Sequence, residues 1–255
     1  MTPADRSYVR IRRRARRIVS RFPPPAFYAD FPVAVRLSRK FFNEDPRVSR
    51  LHAVVRELLE EDFGHGLTHA VKVTLDAGAL AAIECLRAGW DRSSLCRRIR
   101  LAQMAGLLHD LRRKESEHAI AGAETARLLL GRFALRPSEV EDVAMAIRNH
   151  EAFRPPDPVS TPGGKLISDC LYDADKFRWG PDNFTDTVWD MVTFAEMPLV
   201  EFMARYPKGM EMLARIGDTF RTETGRRYGP DFIRTGLAIG WEIYRMIEKE
   251  FEEEL

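Results

Sequence analysis

Leu101-Ala102-Gln103-Met104-Ala105-Gly106-Leu107-Leu108-His109-Asp110 decides how the chain is read. It closes a segment, Arg92 to Leu108, whose Leu101, Met104, Leu107 and Leu108 make it apolar enough to run through a core as a helix. An ionisable pair, His109-Asp110, follows at once. Burying a carboxylate or an imidazole costs several kcal/mol unless the group is paired or coordinated. The helix and the dipeptide at its end therefore have to be explained together.

Outward from this stretch the pattern stays helical. Val48, Leu51, Val55, Leu58 and Leu59 recur at three- and four-residue steps. Thr68 to Leu86, Ala119 to Leu130, Val140 to Ile147 and Leu166 to Phe177 continue the series, with Ser138 as the expected cap of the third. Pro155 to Gly164 reads as a loop. Beyond Gly180, Phe184, Trp189, Phe194, Phe202, Trp241 and Tyr244 mark three or four more helices, and the acidic tail Glu248 to Glu254 is expected to fray. Sustained period-two alternation and internal repeats are missing, so the predicted fold is an all-α bundle.

Composition narrows the function classes. At 255 residues the chain suits one large domain or two small ones, and 45% hydrophobic residues suffice for a core. Lys and Arg number 40 against 38 Asp and Glu, so no whole-chain field favours nucleic acid or an acidic membrane. Three cysteines, Cys85, Cys96 and Cys170, cannot all pair and lack CxxC spacing, which fits a reducing compartment. No apolar run nears the roughly 18 residues of a bilayer span, and the basic N-terminus lacks a signal peptide's apolar stretch. A cytoplasmic protein without membrane association is expected.

The N-terminus differs from the rest. Arg6, Arg10, Arg12, Arg13, Arg14, Arg16, Arg17 and Arg21 face only Asp5, before Pro23-Pro24-Pro25. Residues 1–25 read as a basic helix and linker, and 26–255 as a single all-helical domain, with its motifs in 62–180 and further helices in 181–255. Such an arm can bind nucleic acid. A helix held by Tyr8, Val9, Ile11 and Ile18 is the favoured reading, because base-stacking aromatics are few. The proline break is expected to set it mechanically apart from the bundle.

The histidines carry the chemistry. His65 and His69 share a helical face, His118 opens a helix and His150 falls on the apolar stripe of Val143 and Ile147. Asp173 and Asp175 end the Leu166–Phe177 helix. A single such group is usually a hydrogen-bonded core residue. A shared metal would satisfy the whole set, since imidazole and carboxylate suit iron, manganese and zinc in helical bundles.

The order His69, His109-Asp110, Asp175 resembles the H…HD…D signature of the HD-domain metal-dependent phosphohydrolases. Gly66-Leu67-Thr68-His69-Ala70-Val71-Lys72-Val73 and Leu107-Leu108-His109-Asp110 resemble its first two motifs. The resemblance implies His69, His109, Asp110 and Asp175 as metal ligands. Helical phase leaves Asp173 and Asp175 open; the family's Ala-Asp-Lys pattern selects Asp175 of Ala174-Asp175-Lys176, giving Asp173 a supporting or capping role. A two-metal branch adds histidines matching His118 and His150, with Asp110 as the bridge. The implied cofactor is one or two divalent transition-metal ions, iron or manganese favoured over zinc, nickel, cobalt or magnesium. The implied substrate is a small phosphate ester or phosphoanhydride, such as a nucleotide. Asp110 and Arg113 are the catalytic candidates, and Arg113, Lys176 and His65 the substrate-binding ones. The alternatives are a di-iron oxygenase on the same ligands, or a non-catalytic ligand-sensing module associated with nucleic acid.

Overall fold

A computed structural model describes residues 3–58 and 66–254; His65 lies outside them. Among the described residues there are twelve α-helices: α1 (Pro3–Val19), α2 (Ala26–Asp30), α3 (Pro32–Glu44), α4 (Pro46–Leu58), α5 (Leu67–Arg87), α6 (Arg92–Leu108), α7 (His118–Leu130), α8 (Pro137–Arg148), α9 (Pro162–Phe177), α10 (Val188–Phe194), α11 (Leu199–Ile216) and α12 (Glu223–Glu250). A π-helical turn, Asn183–Thr187, leads into α10. Among the described residues there is no strand, and no helix is long and apolar enough to cross a membrane.

The fold is organised around α5 and α6, which pack along one another, with α9 against α5 and α8. Small residues let these axes approach. A Cβ on Gly106 would fall 2.7 Å from Thr74 Cα, so only glycine fits where α6 crosses α5. That crossing lies one turn before His109 and brings the end of α6 to the start of α5. Side chains begin several helices: Asp91 accepts from the Ser93 and Ser94 amides, Thr161 from Gly164 and Thr222 from Gly225.

Asp173 joins α9 to the start of α12. It is fully buried, and it accepts from the Arg221 and Thr222 amides, each at 2.8 Å, and from the Thr222 hydroxyl at 2.7 Å. It takes the capping role that the resemblance left to it.

Four local expectations change. Ser138 lies inside α8 instead of capping it: Pro137 begins the helix, and the Glu139 carboxylate accepts from the Arg136 amide at 2.7 Å. The loop expected to run to Gly164 gives way to α9 at Pro162, because Thr161 caps it and proline suits a first helical position. The short helices α2 and α3 precede the region read as helical. The tail does not fray before Glu250, since Arg14 pairs with Glu250 and Phe251 is buried beneath the Arg10 guanidinium.

Nor do the prolines keep α1 apart. Tyr8, Ile11, Ala15 and Ile18 form a buried stripe against α12 and residues 183–194, while Val9 faces outward. The Tyr8 hydroxyl donates to the Met197 carbonyl at 2.9 Å. Arg12 pairs with Asp186 at 2.8 Å and Asp190 at 2.6 Å, and Arg16 also reaches Asp186 at 2.6 Å.

Candidate metal centre

The end of α6, the starts of α5 and α7, the residue after α8's cap and the end of α9 meet in one buried place. His69, His109, Asp110, His118, His150 and Asp175 are all buried there. His69 Nε2 lies 3.3 Å from His109 Nε2 and 3.3 Å from Asp175 Oδ1. Asp110 Oδ2 faces His109 Nε2 at 3.4 Å and His69 Nε2 at 3.8 Å. Its other oxygen, Oδ1, faces His150 Nε2 at 3.5 Å. The ligand atoms of His69, His109 and Asp110 thus form one compact group, and those of Asp110, His118 and His150 a second.

Hydrogen bonds outside the centre orient the rings. His109 Nδ1 donates to the Gly106 carbonyl at 2.8 Å, and His150 Nδ1 donates to the Ile147 carbonyl at 2.6 Å. In a neutral imidazole this leaves Nε2 as the lone-pair nitrogen, aimed at Asp110. Burial pushes His69 and His109 below the ordinary imidazole range, against the pull of Asp175 and Asp110. His118 falls to about 4, from burial first and then from His150 and Arg113. These rings are neutral at pH 7, the form a metal needs. Burial would raise Asp175, but Lys176 beside it, followed by His69 and His109, holds it well below the ordinary carboxylate range.

The donor set fits a divalent cation. Imidazole nitrogens and carboxylate oxygens converge within one buried volume, the donor chemistry that a divalent cation accepts. His69, His109, Asp110 and Asp175 could hold one ion; Asp110, His118 and His150 form a second group.

The other candidates fall elsewhere. Lys176 is buried and donates to Asp175 and to the His150 carbonyl at 3.0 Å, so its ammonium braces two ligand-bearing segments. Arg113, in the turn after α6, donates from Nη1 to His118 Nε2 at 2.9 Å.

The sequence reading missed a buried ion network beside His69. Arg178 donates to Asp76, to Asp182 and to the Tyr28 hydroxyl, the last at 2.9 Å, and Lys72 pairs with Asp182 at 3.0 Å. Helical phase carried a signal, since His69, Lys72 and Asp76 share one face of α5 and Arg178 follows Asp175 by three residues. A cavity of about 200 Å³ opens here, lined by His69, Lys72, Arg178, Asp182 and Asp190, with Arg12 of α1 in its wall.

Burial works against the charge on Arg178, but Tyr28, Asp76 and Asp182 outweigh it. Arg178→Met is expected to cost about 3–5 kcal/mol in urea unfolding at pH 7, because it leaves Asp76 buried without its cation. Without Arg178, Asp76 stays protonated to higher pH in the folded chain, so the deficit should shrink as pH falls toward the ordinary carboxylate pKa. An equal deficit at pH 7 and pH 4 would assign the loss to packing.

Fold and site together define an all-helical protein with a buried imidazole–carboxylate centre able to hold metal, built from the residues of the H…HD…D order. Among solved structures the chain is similar to the crystal structure of a predicted HD superfamily hydrolase from an uncultured Thermotogales bacterium. The two share 25% sequence identity with a TM-score of 0.46, over 82% of this chain and 93% of that one. No family model and no curated protein matches the chain.

Proposed function

We propose that the chain is a metal-dependent phosphohydrolase acting on a phosphate ester or phosphoanhydride of a small molecule, nucleotides included. One observation carries the reading: the two oxygens of buried Asp110 face separate histidine sets, so this one carboxylate is shared by both groups of metal-type donors. In this reading His69, His109, Asp110 and Asp175 would hold one ion; Asp110 Oδ1, His150 and His118 form a second group, in which His118 Nε2 is met by Arg113. Imidazole nitrogens and carboxylate oxygens suit iron and manganese, and zinc as well. The bound metal supplies Lewis acidity and lowers the pKa of its water from about 15.7 toward about 7.

The chain's own residues do the rest. His109 and His150 keep their Nε2 lone pairs inward through their carbonyl bonds. Lys176 fixes Asp175 against the turn that bears His150. Arg113 is the exposed cation beside the ligands and suits a phosphoryl oxygen, where a guanidinium gives two parallel donors. The cavity beside His69 gives a small substrate its approach.

The test is elemental analysis of protein purified without chelators, followed by a panel of phosphate mono- and diesters and nucleotides with Mn²⁺ or Fe²⁺. Phosphate release that disappears in His109→Ala is the expected result. Oxygen consumption by iron-loaded protein, with no phosphate compound turned over, would replace the hydrolase with an oxygenase.

A further inference from the structure

His118 differs from His109 and His150 in what meets its Nε2: an arginine, where theirs face the Asp110 carboxylate. Arg113 Nη1 donates to its Nε2 at 2.9 Å. A guanidinium has no lone pair to offer, so Nε2 must be the acceptor. The neutral ring then carries its proton on Nδ1, which faces Glu151 Oε1 at 3.5 Å. Glu151 is fixed in turn by Arg154 at 2.8 Å. Neither nitrogen of His118 has a lone pair left for a metal. His109 and His150, by contrast, spend Nδ1 on a backbone carbonyl and turn Nε2 toward Asp110.

The local chain delivers Arg113 to this position. Its amide donates to the Asp110 carbonyl at 3.0 Å, closing the turn after α6, and the buried His118 ring lies five residues on. Among the described residues no carboxylate stands within ion-pair distance of Arg113. Its Nη1 is engaged by the imidazole.

We propose that the Arg113 guanidinium serves as the second cation of the centre, holding the place that His118 would give to a second metal ion, so that the wild-type chain takes one ion. This rests on the metal reading above and sharpens it. The first ion uses His69, His109, Asp110 and Asp175, none of which Arg113 engages. The second can enter only when the guanidinium leaves His118. A charge-assisted hydrogen bond of this kind corresponds to about a ten- to hundredfold penalty on second-site affinity, and like-charge repulsion adds to it.

The experiment titrates metal-free wild type, Arg113→Met and His109→Ala with Mn²⁺, and reads bound metal by elemental analysis after desalting and by electron paramagnetic resonance. Wild type should bind one ion with the signal of an isolated Mn²⁺. Arg113→Met, changed at an exposed turn position, should bind two with the signal of a coupled pair. Wild type binding two ions of matched affinity, or Arg113→Met stopping at one, overturns the proposal while leaving the metal centre standing. Failure of wild type to bind Mn²⁺ at any concentration at which His109→Ala also fails overturns the metal reading itself.

Discussion

Asp110→Asn is expected to abolish metal-dependent stabilisation while leaving the metal-free chain folded. Asp110 is buried, with His69 and His109 toward one oxygen and His150 toward the other. Burial holds His69 and His109 neutral, so neither ring offers the carboxylate a full countercharge. Asparagine keeps the shape and removes the charge. Because asparagine keeps the volume and the hydrogen-bonding capacity while relieving the cost of burying a charge, the metal-free variant should lie within about 1 kcal/mol of wild type. Metal separates the two. An ion at a hundredfold excess over its Kd stabilises the native state by about 2.7 kcal/mol, which at this chain length raises Tm by roughly 5–10 °C. Wild type should show that rise with Mn²⁺ and Asp110→Asn should show none. An equal rise in both would move the ion away from Asp110.

What could be read from the sequence follows the range of the interactions. The α6 stripe and His109-Asp110 are adjacent in the chain, and helical period alone makes that helix and its ionisable end visible. His69, His118 and His150 were legible because each begins or ends a periodic segment. Asp173 and Asp175 could not be separated by phase, since each sits beside the apolar stripe. Tertiary partners separate them: Asp173 meets the Thr222 amide and hydroxyl, and Asp175 meets His69. Lys176 was read as a substrate-binding candidate, because the His150 carbonyl it serves lies 26 residues away. The network of Arg178, Asp76 and Tyr28 was missed for a like reason, as Tyr28 belongs to the short helix α2 in a stretch without a strong periodic signal. The arginines of α1 seemed unopposed because Asp5 is their only local acid. Their acids come from the other end of the chain: Asp186 and Asp190, 174 and 178 residues from Arg12.

Deleting residues 1–21 is therefore expected to destabilise the whole chain, against the expectation drawn from the proline break. Tyr8, Ile11 and Ile18 are buried by packing on the body, and burial of a large apolar side chain stabilises by about 1.5–3 kcal/mol each. Their loss, on the order of 5 kcal/mol, is comparable to the whole stability of a marginal domain, about 5–15 kcal/mol. The deletion also uncovers Phe202, whose ring meets Tyr8 edge-on at 6.0 Å. The ion pairs contribute less, since Arg12 and Asp186 are both partly exposed. Burial would raise Asp186, yet Arg12 and Arg16 hold it at about 2. Its contribution is present above the unfolded carboxylate pKa and is lost as pH falls toward 2, so the gap between full-length and truncated protein should narrow slightly there. Urea midpoints at low and high salt separate the two sources. A loss that persists in 1 M NaCl, where the Debye length is about 3 Å, belongs to the apolar seam. A loss that vanishes in salt would mean that α1 is held by its arginines, and the packing argument would fail.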